Sequence, residues 1–271
     1  MSPKNILIVG GHGNVSLRLT RLLAAAGHTV TSLIRTPEHI DDILAAGGKP
    51  LMLSLEESTP AHLAGAFSDT HADVVYFSAG AGGNGGEERT KAVDYEGAVK
   101  VFDAIESLEE AVRPRLILVS AVDVRDPEKI PAHYTEEDIA LANRIRGRIA
   151  AYMKWKYEAD KNLVARTGIK YTILRPGGLT NAPGTGKASI GRTHLTTVIS
   201  RDDVALALFT LLDRPDAAGL AIDIVGGETP IAEVGGTSVN KYANCIIHLR
   251  SKTSSFQNSR PDVKTSPASN E

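Results

Sequence analysis

The chain has 271 residues, of which 42% are hydrophobic and 23% charged, with a net charge of −2. These are the proportions of an ordinary globular protein, and a near-neutral balance gives no global field to recruit nucleic acid or an acidic membrane. A single cysteine, Cys245, excludes an intrachain disulfide framework, the eight histidines lack metal-ligand spacing, and no apolar run reaches membrane-spanning length.

The first element is an apolar run, Ile6-Leu7-Ile8-Val9, entered from polar Lys4-Asn5 with no signal-like apolar core ahead of it. It reads as a buried strand. Gly10-Gly11-His12-Gly13 turn the chain, and Val15, Leu19, Leu22 and Leu23 then recur at helical spacing. Strand, glycine turn and helix in that order make a pyrophosphate site. Glycine admits close backbone approach, and the helix N-terminus presents free N–H groups and partial positive charge. Gly10, Gly11, His12, Gly13, Asn14 and Val15 are therefore the expected phosphate-binding turn. A second strand, residues 29–34, ends at Arg35-Thr36, the tip that meets the adenosine ribose in dinucleotide folds. An acid there would accept from the 2′-hydroxyl of NAD, whereas Arg35 suits the 2′-phosphate of NADP; NAD is the less expected cofactor.

A helix over residues 37–46, a third strand over 49–53 and a helix over 60–67 follow. The fourth strand, 73–78, runs into Ala79-Gly80-Ala81-Gly82-Gly83, so Ser78, Ala79, Gly80 and Ala81 are expected to wall the cofactor. Residues 89–107 have helical apolar spacing, and 115–121 form a fifth strand ending in Ser120. Residues 123–133 read as loop, and 135–166 as helix with a break near 144–147. The sixth strand, 170–174, is capped by Arg175-Pro176-Gly177-Gly178, followed by an irregular loop over 179–197. Ser200 and Asp203 read as a capping box opening a helix over 204–212, and 220–225 form the last strand. Alternating strands and helices imply a doubly wound parallel α/β sheet of Rossmann type, order 3-2-1-4-5-6-7, in one domain over residues 1–234.

The long helix carries Tyr152 and Lys156, one turn apart on one face. A phenol with an unperturbed pKa of about 10 needs a nearby ammonium to reach a useful range for proton transfer at neutral pH. Tyr157 and Lys161 have the same spacing, but the stripe of Ile149, Tyr152, Lys156, Ala159 and Leu163 favours the first pair. Gly184-Thr185-Gly186-Lys187 is not a P-loop: the required upstream glycine is Asn181, and Ala188 follows the lysine.

These stretches together resemble the atypical branch of the short-chain dehydrogenase/reductase superfamily, particularly its fungal members. The matching segments are Val9-Gly10-Gly11-His12-Gly13-Asn14-Val15, Phe77 to Gly83, Val93-Asp94-Tyr95-Glu96-Gly97, Val119-Ser120-Ala121, Tyr152 to Asp160, Tyr171 to Leu179 and Gly184-Thr185-Gly186. The resemblance implies Ser120, Tyr152 and Lys156 as catalytic serine, tyrosine and lysine. Tyr152 would exchange the proton, Lys156 would hold the nicotinamide ribose and depress the tyrosine pKa, and Ser120 would orient the carbonyl. Asp94 stands where the superfamily usually has asparagine, and Pro176, Gly177 and Gly178 would meet the nicotinamide. Ser16 replaces the third fingerprint glycine.

The expected function is hydride transfer between NADP(H) and a small carbonyl or hydroxyl compound. A turnover-free NADP(H) sensor and a sugar-nucleotide epimerase or dehydratase are the alternatives. The expected setting is a cytoplasmic monomer or dimer with a small-molecule substrate and no nucleic-acid, membrane or metal partner. The substrate region would be built from residues 122–147 and 179–199. From Gly235 the pattern changes, and beyond Arg250 the chain is Ser, Asn, Lys and Pro with almost nothing apolar, so residues 235–271 are expected to be a disordered or atypical extension, with Cys245-Ile246-Ile247 at most docking loosely.

Overall fold

The structure is a computed structural model that describes residues 2–82, 85–195 and 197–233. The expectation for residues 235–271, Cys245 included, lies outside the described residues, as do Gly83 and Asn84.

In chain order the elements are β1 (Asn5–Val9), α1 (Asn14–Ala25), β2 (Thr29–Ile34), α2 (Ile40–Ala45), β3 (Lys49–Met52), α3 (Pro60–Asp69), β4 (Val74–Phe77) and α4 (Gly86–Thr90). A π-helical segment (Lys91–Glu96) joins α4 to α5 (Gly97–Ser107), so the helix expected over 89–107 starts earlier and is underwound in its first half. Then come β5 (Arg115–Val119), α6 (Glu136–Arg148), α7 (Ala150–Val164), β6 (Tyr171–Pro176), β7 (Leu179–Thr180), β8 (Lys187–Ile190), β9 (Ile199–Ser200), α8 (Arg201–Leu212) and β10 (Leu220–Pro230). The break in the long helix falls at Ile149, not at 144–147.

The main sheet has the order β3-β2-β1-β4-β5-β6-β10-β8. All pairings are parallel except that of β8 on β10. This is the expected Rossmann-type order, with β10 in the seventh place. The difference lies at the edge: part of the segment read as irregular loop forms β8. It pairs Ile190 with Ile224 and Ser189 with Val225, then slips register before Ala188 meets Thr229. The rest of that segment is closed at its base by the parallel pair β7–β9.

Period-two alternation along the buried strands divides the apolar side chains between two cores. Leu7, Val9, Val75, Phe77, Leu116 and Leu118 face α3, α5 and α7. Ile6, Ile8, Val74, Tyr76, Ile117 and Leu174 face α1 and α8. Helices thus cover both faces, and the strands' C-terminal ends form one edge where the glycine turns and the start of α1 converge. Ser16 is fully buried, a small residue packing where the fingerprint has glycine. Among the described residues, no helix is long and apolar enough to cross a membrane.

Asp203 corrects the capping-box reading. Ser200 Oγ does accept from Asp203 N–H at 2.9 Å, but the Asp203 carboxylate accepts from Thr185 N–H, Gly186 N–H and the Ser200 hydroxyl. The Gly184-Thr185-Gly186 turn is thereby fastened to the start of α8, which accounts for that motif structurally.

Candidate functional site

Two cavities share the C-terminal edge of the sheet and meet at Gly13, Ser78, Ala79 and Gly80. The first, about 250 Å³, is bounded by Gly10, His12, Arg35, His39, Glu56 and Arg89. The second, about 570 Å³, is bounded by Asn14, Val15, Asp94, Ser120, Tyr152, Lys156 and Pro176-Gly177-Gly178. The residues of the expected phosphate turn, the loop after β4 and the catalytic set are therefore brought to one groove.

The turn has a clear physical basis. Gly10 has φ +82°, and a Cβ there would lie 2.7 Å from Ala79 N and Cα, so the crossing of the two loops requires glycine. At Gly13 an added Cβ would lie 3.3 Å from Gly10 O and Ser16 Oγ, a tight contact, and the residue lines both cavities. Gly13 is the N-cap of α1 without a side-chain cap bond, and no acid sits in the helix's first turn. The donors at that terminus are left for an anion, which is the chemistry a dinucleotide pyrophosphate needs. Gly11, Thr36 and Ala81 do not line either cavity. Gly11 packs on Ser32, Thr36 lies beside His39 Nδ1 at 3.5 Å, and Ala81 N–H donates to Asp94 Oδ2 at 2.9 Å.

At the adenosine end, Arg35 Nη1 lies 2.8 Å from Glu56 Oε1, and Arg89 Nη2 lies 3.8 Å from the same oxygen. Sequence reasoning missed both Glu56 and Arg89. They come from the segments after β3 and within α4, and neither sits in a motif. His12 stacks on His39 with centroids 3.6 Å apart and hydrogen-bonds Asp42 at 2.7 Å, bracing the turn against α2.

At the other end, the π-helical segment places Asp94 under the groove. Its carboxylate pairs with Lys156 Nζ at 3.1 Å, the two side chains being 0% and 6% exposed. Lys156 also reaches Val119 O at 3.3 Å. Burial, the largest single effect, would lower the Lys156 pKa, but the charge and hydrogen bond of Asp94, together with Tyr152 and Asp160, outweigh it and hold the ammonium above its ordinary value. Asp94 is therefore a positioning group for the lysine and for the loop at Ala81. Lys156 Nζ lies 5.8 Å from the Tyr152 ring centroid. Burial pushes the Tyr152 phenol up, Lys156 offsets only part of this, and Asp94 and Asp160 add to the rise. Lys156 thus lowers the tyrosine pKa as expected, but burial of the phenol outweighs it and the net shift is upward. Tyr157 instead sits over Lys161, which pairs with Glu158, and does not line the groove. One turn beyond Lys156, Asp160 forms a buried ion pair with Arg175 Nη2 at 2.8 Å, tying α7 to β6.

Ser120 is buried, and its hydroxyl is one of the hydrogen-bonding groups that lower the pKa of the buried Asp160 carboxyl against the rise that burial imposes. Ser120 lines the same cavity as Tyr152, so a substrate oxygen there would meet two hydroxyl donors. Uncapped helix donors, two guanidinium groups at one end and the buried Lys156 ammonium at the other fit a nicotinamide dinucleotide. Among the described residues no cluster of three His, Cys, Asp or Glu could hold a metal ion.

Residues 10–215 match the family model described as NAD(P)H-binding. The chain is 41% identical over 227 residues to UPF0659 protein C216.03 of Schizosaccharomyces pombe, covering 83% of this chain and 91% of that protein. It is 35% identical over 229 residues to the uncharacterized sugar epimerase YhfK of Bacillus subtilis, covering 84% and 97%. A solved Bacillus halodurans protein, provisionally named an NAD-dependent epimerase/dehydratase, superposes with a TM-score of 0.71 at 29% identity, covering 85% of this chain and 98% of that one. The chain belongs to the NAD(P)H-binding family, among proteins like the atypical short-chain dehydrogenases/reductases.

Proposed function

We propose that the protein is an NADP(H)-dependent oxidoreductase that reduces the carbonyl group of a small, largely apolar compound. The observation that carries this reading is the convergence of Ser120, Tyr152 and Lys156 on one cavity. NADPH, when bound, supplies the hydride. The start of α1 binds the pyrophosphate. Arg35 and Arg89 hold the 2′-phosphate, with Glu56 orienting them; two guanidinium groups against one carboxylate leave net positive charge for that phosphate. Lys156 holds the nicotinamide ribose. The Tyr152 O–H donates its proton to the substrate oxygen, and the Ser120 O–H donates a hydrogen bond to the same atom. The raised Tyr152 pKa keeps the phenol protonated at neutral pH, which suits an acid in the reductive direction.

The apolar walls at Ile145, Ile149, Met153, Leu179 and Leu195 favour this reading over sugar epimerisation, since a sugar's hydroxyl groups would face side chains that cannot hydrogen-bond. A sensor without turnover would make no use of the serine and tyrosine hydroxyls. NADPH oxidation against a panel of aldehydes, ketones and quinones tests the proposal. Tight NADPH binding with no turnover across the panel would count against it and for the sensor.

A further inference from the structure

The nicotinamide-end cavity carries four charged side chains, Asp94, Asp123, Lys156 and Arg201. Three are internally matched. Asp94 and Lys156 hold each other at 3.1 Å. Asp123, which adopts a left-handed φ of +60°, is clamped by Arg125 at 2.6 Å and Arg146 at 2.8 Å, and accepts from the Tyr134 hydroxyl at 3.2 Å.

Arg201 is different. Its Nη1 donates to Asn181 Oδ1 at 3.0 Å, a neutral acceptor, and it makes no ion pair among the described residues. The two acids that follow it are committed elsewhere. Asp202 takes Arg18 Nε at 2.6 Å and Gly184 N–H at 3.2 Å, while Asp203 fastens the 184–186 turn. Arg201 is also the first residue of α8, where the helix dipole disfavours a cation. A half-buried guanidinium at the rim of a largely apolar cavity, with Asp202 and Asp203 both committed elsewhere, is available to a mobile anion.

We propose that Arg201 anchors a carboxylate on an otherwise apolar substrate, so that the compounds reduced are apolar oxo-acids rather than neutral ketones. This rests on the oxidoreductase reading above. The guanidinium fork matches a carboxylate through two parallel N–H···O bonds and fixes the orientation of the body against Ile149 and Leu179. A phosphate of the cofactor carries the same charge chemistry, because Asn14 and Val15 line the same cavity, and the test separates the two sources.

The probes are 2-naphthoate and 2-naphthamide, nearly isosteric aromatics that differ in charge. They are titrated calorimetrically into wild type, Arg201→Met and Arg201→Lys, each with and without saturating NADP. NADPH affinity is measured separately by fluorescence, and melting curves check folding. The expected result is a preference of wild type for naphthoate by about tenfold, the effect of one charge-assisted hydrogen bond. Arg201→Met abolishes that preference with naphthamide and NADPH affinity unchanged, and Arg201→Lys retains part of it. A preference that survives in Arg201→Met, or is missing from wild type, overturns the proposal. A Met variant that loses NADPH affinity while keeping the naphthoate preference assigns the arginine to a cofactor phosphate and equally overturns it. Failure of wild type to bind NADPH sinks the oxidoreductase reading instead, while the cofactor-free titrations still decide Arg201.

Discussion

Replacing Asp94 by alanine leaves a lysine with a 6% exposed side chain facing no carboxylate where it had one at 3.1 Å, and also removes the acceptor of the Ala81 N–H. Orphaning one member of a buried ion pair costs about 3–5 kcal/mol. At roughly 2–4 °C per kcal/mol for a chain of this size, a melting point at least several degrees lower is expected. The pair also sets a sign with pH. In wild type the Lys156 pKa is raised above its unfolded value, so its stabilisation is complete below about pH 10 and is lost as pH rises through the folded value. In Asp94→Ala the ammonium loses the largest of the contributions that offset burial, its folded pKa falls, and the deficit against wild type narrows as pH rises toward that range. Thermal melts of wild type, Asp94→Ala, Lys156→Met and the double variant at pH 7 and pH 9.5 read this out. The double variant should be destabilised by less than the sum of the singles, because no charge is orphaned. Additive losses, or a deficit that does not change with pH, would refute the assignment of Asp94 as the lysine's counter-charge.

Gly10→Ala should be destabilised by about 1–3 kcal/mol or more, since it combines a left-handed φ with a Cβ 2.7 Å from the Ala79 backbone. Gly13→Ala should lose NADPH affinity while costing only about 1 kcal/mol of stability, the penalty of alanine at an N-cap; a folded variant with unchanged NADPH affinity in fluorescence titration would mislocate the pyrophosphate. Arg35→Ala and Arg89→Ala should each weaken NADPH by roughly 1.5–3 kcal/mol while sparing NADH, as a lost charge-assisted contact does. Equal losses for both cofactors would remove the 2′-phosphate from this pocket. Asp138 joins α6 to the segment before β9, accepting from His194 Nδ1 at 2.6 Å and Leu195 N–H at 2.7 Å. Its burial would raise the carboxyl pKa, but those bonds and the ones from Thr135 hold it well below the usual range. Its stabilisation is therefore present above about pH 4 and lost as pH falls further, so the gap between wild type and Asp138→Asn in urea melts should shrink on acidification. A pH-independent gap would contradict this.

The sheet was legible because its strands bury both faces and leave unbroken apolar runs, and because each glycine turn falls where a strand ends. Lys187–Ile190 was not legible: four residues without alternation carry no strand signal, and the antiparallel pairing is set by β10 some thirty residues later. The helix break moved to Ile149 because Gly147 is accommodated within α6, whereas Ile149 takes φ −131°. Of the groove, the turn, Ser120, Tyr152 and Lys156 were readable from local motif and spacing. Glu56, Arg89 and Arg201 were not, since each reaches the groove from a remote segment and only the fold gives it a role. The net sign of the Tyr152 shift was not legible either: the sequence shows the lysine one turn away, but not how deeply the fold buries the phenol, nor the Asp94 carboxylate that the π-helical segment brings in.

The proposed chemistry is tested most directly by Tyr152→Phe, assayed with NADPH and the best carbonyl substrate from the panel beside a fluorescence titration of NADPH. Loss of the phenolic proton donor should lower kcat by about 10²–10⁴-fold while NADPH affinity stays at the wild-type value. Turnover at the wild-type rate in Tyr152→Phe would contradict the account.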